Sequence, residues 1–152
     1  MNSQTRWDLD YLALAKFWAE RKSKDPSTQV GAVLVSPDNT QVILAYNGFP
    51  QGMDDNPVLY NNRNVKLSRT IHAELNAIIL SRRDLRNYTI YTWPFPPCDK
   101  CALHVIQAGI KRVVALRPTL EQKKRWGAQF EIAYISFREA DVVIKLYRGD
   151  EL

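Results

Sequence analysis

Apolar residues recur at Leu9, Leu12, Ala13 and Phe17, the spacing of one helix face, and predict a helix over about residues 8–22 with Asp8 in its early turn. Val30 to Val35 reads as a strand, Ser36-Pro37-Asp38-Asn39 as a turn, and Gln41 to Ala45 as the returning strand of a hairpin. Residues 46–69 are rich in Asn, Pro, Gly and Asp and show no period. A loop of that length in a small domain is functional or mobile. Beyond it the pattern predicts a helix over about 71–81, a strand at Thr89 to Thr92, and a loop Pro94-Phe95-Pro96-Pro97. A helix from Cys98 or Asp99 to Ala108 follows, with Gly109 as its stop signal. Arg112 to Leu116 reads as strand, Leu120 to about Ala140 as a long amphipathic helix, and Val142 to Leu146 as a fifth strand. A hairpin followed by alternating helices and strands predicts an α/β fold, a mixed five-stranded sheet with helices on both faces. With no repeat, low-complexity tract or Gly/Ser linker, residues 1–152 are expected to form a single domain.

Composition changes this picture little: 45% of residues are hydrophobic and 11% aromatic, enough for a core without a disulfide framework. Only Cys98 and Cys101 are cysteines, and a bridge between positions so close would constrain little chain. Metal or redox chemistry is the better reading, and with it a reducing, cytoplasmic compartment. The N-terminus has no basic-then-apolar leader pattern, and no apolar run approaches membrane-spanning length. A net charge of +5 and a pI near 9.3 suit an anionic ligand, a nucleotide or a nucleic acid, and equally a merely soluble basic surface.

The chemistry is carried by His72-Ala73-Glu74, Pro97-Cys98 and Cys101. His-x-Glu with Pro-Cys-x-x-Cys is the signature of zinc nucleobase deaminases. A catalytic zinc keeps three protein ligands and an open fourth position, and His72, Cys98 and Cys101 supply three, one zinc per chain. Both His72 and Cys98 fall at predicted helix starts, where free N–H groups favour a thiolate. Glu74 lies two positions from His72, roughly 200° around the helix, which sets it outside a shared ligand role and makes it the catalytic proton shuttle. The backbone N–H of Ala73 or Glu74 is placed to hold a base carbonyl. Two other readings stay open: His104, one turn past Cys101, completing a structural Cys₂His₂ site, and Cys98-Asp99-Lys100-Cys101 as a thioredoxin-like redox motif.

Beside these motifs stand Lys24-Asp25-Pro26-Ser27-Thr28-Gln29-Val30-Gly31-Ala32, Tyr46-Asn47-Gly48-Phe49-Pro50 and Ile106-Gln107-Ala108-Gly109-Ile110-Lys111. In this order the segments resemble the deoxycytidylate deaminase family over roughly residues 8–145. The resemblance implies a three-layer α/β/α sandwich of the cytidine-deaminase type, a homohexamer, and conversion of dCMP to dUMP and ammonia for thymidylate synthesis. It also implies activation by dCTP with Mg²⁺ and inhibition by dTTP, in a loop that Tyr46, Gly48, Gln51, Asp54 and Asp55 match in type. The second, structural zinc of some members is not expected, because the chain has only two Cys and two His.

Asn47 ends the hairpin and suits a sugar hydroxyl, with a plain turn asparagine as the rival. Arg83, about two turns past Glu74, and Lys24 are candidate phosphate contacts, against the alternative of solvated basic residues. Trp93 and Phe95 are placed either to stack on a base or to fill a core or interface. Two functions compete with the free-nucleotide deaminase: a deaminase of a base within tRNA or single-stranded nucleic acid, and a zinc-stabilised binding module. With no cluster of five or more Lys/Arg, neither a stable nucleic-acid partner nor a membrane is expected.

Overall fold

The computed structural model describes all 152 residues. Five strands form one mixed sheet: β1 (Gly31–Val35), β2 (Val42–Tyr46), β3 (Thr89–Trp93), β4 (Arg112–Leu116) and β5 (Val143–Tyr147), in the order β2-β1-β3-β4-β5. β1 is antiparallel to both β2 and β3, whereas β3, β4 and β5 are parallel. The helices are α1 (Ser3–Lys22), α2 (Arg63–Arg69), α3 (Ala73–Ser81), α4 (Asp99–Gln107) and α5 (Leu120–Glu139), with short 3₁₀ turns at Pro57–Asn61 and Gly149–Glu151.

Because strand side chains alternate, β1 sends Ala32 and Leu34 to one face and Val33 and Val35 to the other. Ala32 and Leu34 join Ile90 and Val113 under α3, α4 and α5, which contribute Ala77, Val105 and Phe137. Val33 and Val35 join Tyr91 and Val114 under α1, which contributes Tyr11, Leu12 and Ala15. The result is a three-layer α/β/α sandwich. α1 sits close on β1 because Gly31 has no Cβ; one built there would fall 2.0 Å from the Ala15 carbonyl oxygen. Gly109 ends α4 at φ +84°, a conformation that favours glycine, as its place past the last helical residue predicts.

The predicted strands and most helices stand within two residues of the observed ones, with two differences. α1 begins five residues earlier than the apolar period indicates, because Asn2 caps it, accepting from the Thr5 N–H at 2.8 Å. Its buried face is Asp8, Tyr11, Leu12, Ala15 and Ala19, so Ala13 and Phe17 point outward and Asp8 is interior. The aperiodic stretch 46–69 contains α2 and a 3₁₀ turn, each started by an Asn cap (Asn62 and Asn56). No helix is long and apolar enough to cross a membrane.

Register explains where a site must lie. Gly31 at the start of β1 pairs with Tyr46 at the end of β2 and with Trp93 at the end of β3. The loop entering β1 and the loops leaving β2 and β3 therefore meet at one end of the sheet.

Candidate active site

At that end, three side chains converge. The His72 Nδ1 lies 3.3 Å from the Cys101 Sγ and 3.7 Å from the Cys98 Sγ, and all three donor atoms fall within 4.8 Å of one another. His72 is the N-cap of α3 and Cys98 the N-cap of α4, so each sits where its helix presents free N–H groups. The Cys98 Sγ uses one of them, accepting from the Cys101 N–H at 3.5 Å.

His72 is held from behind by the hairpin. Gly48 and Ile71 exchange two backbone hydrogen bonds, Gly48 N to Ile71 O at 3.1 Å and Ile71 N to Gly48 O at 2.8 Å. One turn into α3, the Asn76 Nδ2 donates to the Tyr46 carbonyl at 2.9 Å. Tyr46 and Gly48, singled out by sequence as effector residues, thus serve through their backbones to fix the start of α3.

The electrostatics suit a metal. A hydrogen bond from the Cys101 thiol, helped by His72, pulls the Cys98 thiol down to about 4 against the opposing effect of burial. The buried Cys101 is raised by that same contact and by its burial. A tetrahedral zinc with bonds of about 2.0–2.3 Å to nitrogen and sulfur sets donor–donor edges of about 3.5–3.8 Å. The observed 3.7 Å falls within that range and the 3.3 Å lies just below it, so a small outward shift of the Cys101 sulfur would seat the ion. His104 is exposed on α4 and stands outside the group, which removes the four-ligand reading. Glu74 is only 4% exposed, and burial pushes its carboxyl above the usual range, opposed by His72.

His72, Glu74 and Cys98 line a cleft of about 410 Å³, and Cys101 is buried beside them. One wall is aromatic: Phe95, Trp126 and Phe130, with the Phe95 ring tilted against the other two at 5.0 and 5.7 Å. The other wall is polar, built from Asp25, Ser27, Thr28 and Asn47 with Arg63 and Lys66 of α2. Asn47 braces this wall as well as facing the cleft. Its Oδ1 accepts from the Val30 N–H and Ser23 Oγ, and its Nδ2 donates to the Thr28 carbonyl.

Other candidates fall elsewhere. Arg83 does not line the cleft; it lies beyond the far end of α3, its guanidinium donating to Gln41 Oε1 at 2.7 Å. Lys24 also stays out, its Nζ bound to Asp55 Oδ2 at 2.6 Å and to the Asp55 carbonyl. Asp55 is occupied by that contact and by the Tyr60 hydroxyl, while Gln51 and Asp54 are exposed. Trp93 lines a neighbouring cavity of about 550 Å³ and packs against the α1-side core. The residues that sequence reasoning missed, Arg63, Lys66, Arg125 and Trp126, lie on α2 and α5. For α2 a signal existed: Asn62 before a basic pair three residues apart is a capped helix face.

The comparisons agree with this geometry. Residues 5–117 match the model of the cytidine and deoxycytidylate deaminase zinc-binding region. An uncharacterised deaminase from the luxG 3′ region of Aliivibrio fischeri is 39% identical over 122 residues, covering 80% of this chain and 81% of the relative. Mouse deoxycytidylate deaminase is 35% identical over 142 residues, covering 88% and 79% respectively. In fold, the dCMP deaminase of cyanophage S-TIM5 superposes with a TM-score of 0.68 at 19% identity, covering 97% of this chain and all of the phage protein. The His-Cys-Cys cluster at two helix starts, the buried glutamate beside it and the match over most of the chain lead to one assignment: this protein is a hydrolytic deaminase belonging to the cytidine and deoxycytidylate deaminase family.

Proposed function

We propose that the protein hydrolyses dCMP to dUMP and ammonia. The observation that carries the reading is the placing of a buried glutamate beside a three-donor metal cluster at the floor of a nucleotide-sized cleft. The deoxycytidylate deaminases among its relatives, the mouse enzyme included, support cytosine as the base.

His72, Cys98 and Cys101 are the groups that would hold one zinc ion. When bound on three protein ligands, zinc supplies an open position at which water becomes acidic enough to act near neutral pH. The protein's own residues do the rest. Glu74 takes a proton from the attacking water and delivers it to the ring nitrogen N3 while the water oxygen bonds to C4. The second water proton, carried by the same carboxylate, goes to the amino group, the C4–N4 bond breaks, and ammonia leaves with uracil remaining. A carboxyl raised by burial is suited to both halves of this cycle, since it must accept and then return a proton. The Ala73 N–H, at the first position of α3 and on the cleft surface, is placed to hold the base carbonyl. Phe95, Trp126 and Phe130 offer ring faces to the pyrimidine, and the spare amide hydrogen of Asn47 is available to a sugar hydroxyl.

The test is direct: loss of cytosine absorbance with dCMP, CMP, deoxycytidine and dCTP, on protein of measured zinc content. Fastest turnover of dCMP with one zinc per chain is expected. Deoxycytidine turned over as well as dCMP would end the nucleotide reading, and zero or two zinc ions per chain would end the ligand assignment. The same assay with added dCTP and Mg²⁺, or with dTTP, reads out effector control. Activation by dCTP and inhibition by dTTP are the responses proposed for the loop of Tyr46, Gly48, Gln51, Asp54 and Asp55, in which Gln51 and Asp54 are exposed and Asp55 is held by Lys24 and Tyr60.

A further inference from the structure

The polar wall of the cleft contains a buried ion pair that the chemistry above does not use. Asp25 is 7% exposed and Lys66 9%, and the Lys66 Nζ donates to Asp25 Oδ1 at 3.1 Å and to Ser27 Oγ at 2.9 Å. Asp25 Oδ1 also accepts from the Ser27 N–H, the Ser27 Oγ and the Thr28 N–H, at 2.9–3.1 Å. These contacts hold the Asp25 carboxyl below its usual range despite burial. Burying an ion pair is a poor way to gain stability, because desolvation offsets most of the attraction. This pair stands on the surface of the active cleft, with one Lys66 N–H still undirected.

Arg63 is three residues before Lys66 on α2, and both line the cleft. Residues three apart share a helix face. Arg63 forms no ion pair, so with Asp25 counted this wall keeps one net positive charge. The other two cleft cations are differently placed. Lys100 is the second residue of α4, on the helix whose start carries Cys98 and Cys101, and so lies at the reacting end. The Arg125 guanidinium is stacked on Trp126, 4.2 Å from the ring centroid, on the aromatic wall.

We propose that Arg63 and Lys66 hold the 5′-phosphate of the substrate, with Asp25 and Ser27 as positioning residues that fix the Lys66 ammonium. This rests on the reading of the protein as a dCMP deaminase. A base against the aromatic wall leaves the sugar and phosphate to the wall of hydroxyls, amide and cations. The ammonium is preorganised, so little side-chain freedom is lost when an anion arrives. Charge-assisted contacts with phosphate supply affinity and select against the uncharged nucleoside.

The experiment compares kcat/KM on dCMP and on deoxycytidine for the zinc-loaded wild type, Arg63→Ala, Lys100→Ala and Arg125→Ala. Because Lys66→Met alone would strand a buried carboxylate, the Lys66 arm is the double variant Lys66→Met, Asp25→Asn. Arg63→Ala and the double variant are expected to lose about 10- to 150-fold on dCMP with little change on deoxycytidine. Equal losses on both substrates, or none, would overturn the proposal, as would a selective loss that appears instead in Lys100→Ala or Arg125→Ala. A selective loss in Arg63→Ala but not in the double variant would remove Lys66 from the subsite. Failure of the underlying reading looks different: wild type then shows no dCMP turnover, or no preference for dCMP over deoxycytidine.

Discussion

Glu74 and the two cysteines differ in what their loss should do. In the proposed mechanism Glu74 carries protons, and it contributes no atom to the three-donor cluster. Glu74→Gln is therefore expected to keep one zinc and a normal far-ultraviolet spectrum while losing about 10²–10⁴-fold in turnover. Zinc loss in that variant would make the carboxylate a ligand. Cys98→Ala should lose the metal and, with it, stability, because metal binding is coupled to folding. His104→Ala, on the exposed face of α4, should change neither zinc content nor turnover. The legibility of the site follows the same division. Residues whose chemistry requires one residue type at one spacing, His72, Glu74, Cys98 and Cys101, could be read from the chain. The phosphate contacts could not, since any Lys or Arg satisfies that chemistry and only folding decides which ones reach the cleft. Arg83 and Lys24 have the right charge, but Gln41 and Asp55 engage them elsewhere.

At the scale of elements, the start of α3 depends on contacts from a strand distant in sequence. The bond from the Asn76 Nδ2 to the Tyr46 carbonyl couples the end of β2 to the first turn that carries His72 and Glu74. Asn76→Ala is expected to cost about 0.5–1.5 kcal/mol, lowering Tm by about 2–4 °C per kcal/mol, and also to lower kcat because it loosens the turn. The matched comparison is Asn2→Ala, which removes the N-cap of α1, on the opposite face of the sheet from α3, at a cost of about 1 kcal/mol. Thermal melts and turnover on both variants decide the point. If Asn2→Ala lowers kcat as much as Asn76→Ala at equal loss of Tm, the effect is general stability and not positioning. The continuously apolar, buried β4 and the long α5 with its Thr119 cap were readable to within a residue. α2 was not, because seven residues with one buried side chain, Lys66, leave no hydrophobic period to detect.

Across the whole molecule, the α1 layer is joined to the sheet through Asp8. This side chain is fully buried and its carboxylate is bound by Arg112 of β4 at 2.7 and 2.6 Å, Tyr91 of β3 at 2.9 Å, Tyr147 of β5 at 2.7 Å, and Gln4 of α1 at 2.9 Å. One residue in the second turn of the first helix thereby ties down all three parallel strands. An acid early in a predicted helix reads as a dipole partner; its place in a network depends on residues 83 to 139 positions away, which no local pattern reveals. Burial alone would raise the Asp8 pKa, but the hydrogen bonds, that from Arg112 foremost, outweigh it and leave the folded value below 3.8. The sign of the pH effect follows: stabilisation by Asp8 is complete above the unfolded-state value near 3.8 and is lost as pH falls through the lower folded value. Asp8→Asn strands the Arg112 guanidinium and should cost about 3 kcal/mol at pH 7, the low end for a broken buried pair since Arg112 keeps partial exposure. Urea unfolding of wild type and Asp8→Asn at pH 7, 5, 4 and 3 measures this. The gap between them should stay constant from pH 7 to 5 and narrow below pH 4, where the Asp8 carboxylate of the unfolded wild type takes up a proton that the folded protein still excludes. Protonation of the metal ligands in acid affects both proteins alike and cancels in the difference. A gap that holds unchanged to pH 3 would show that Asp8 contributes through packing and not through its charge.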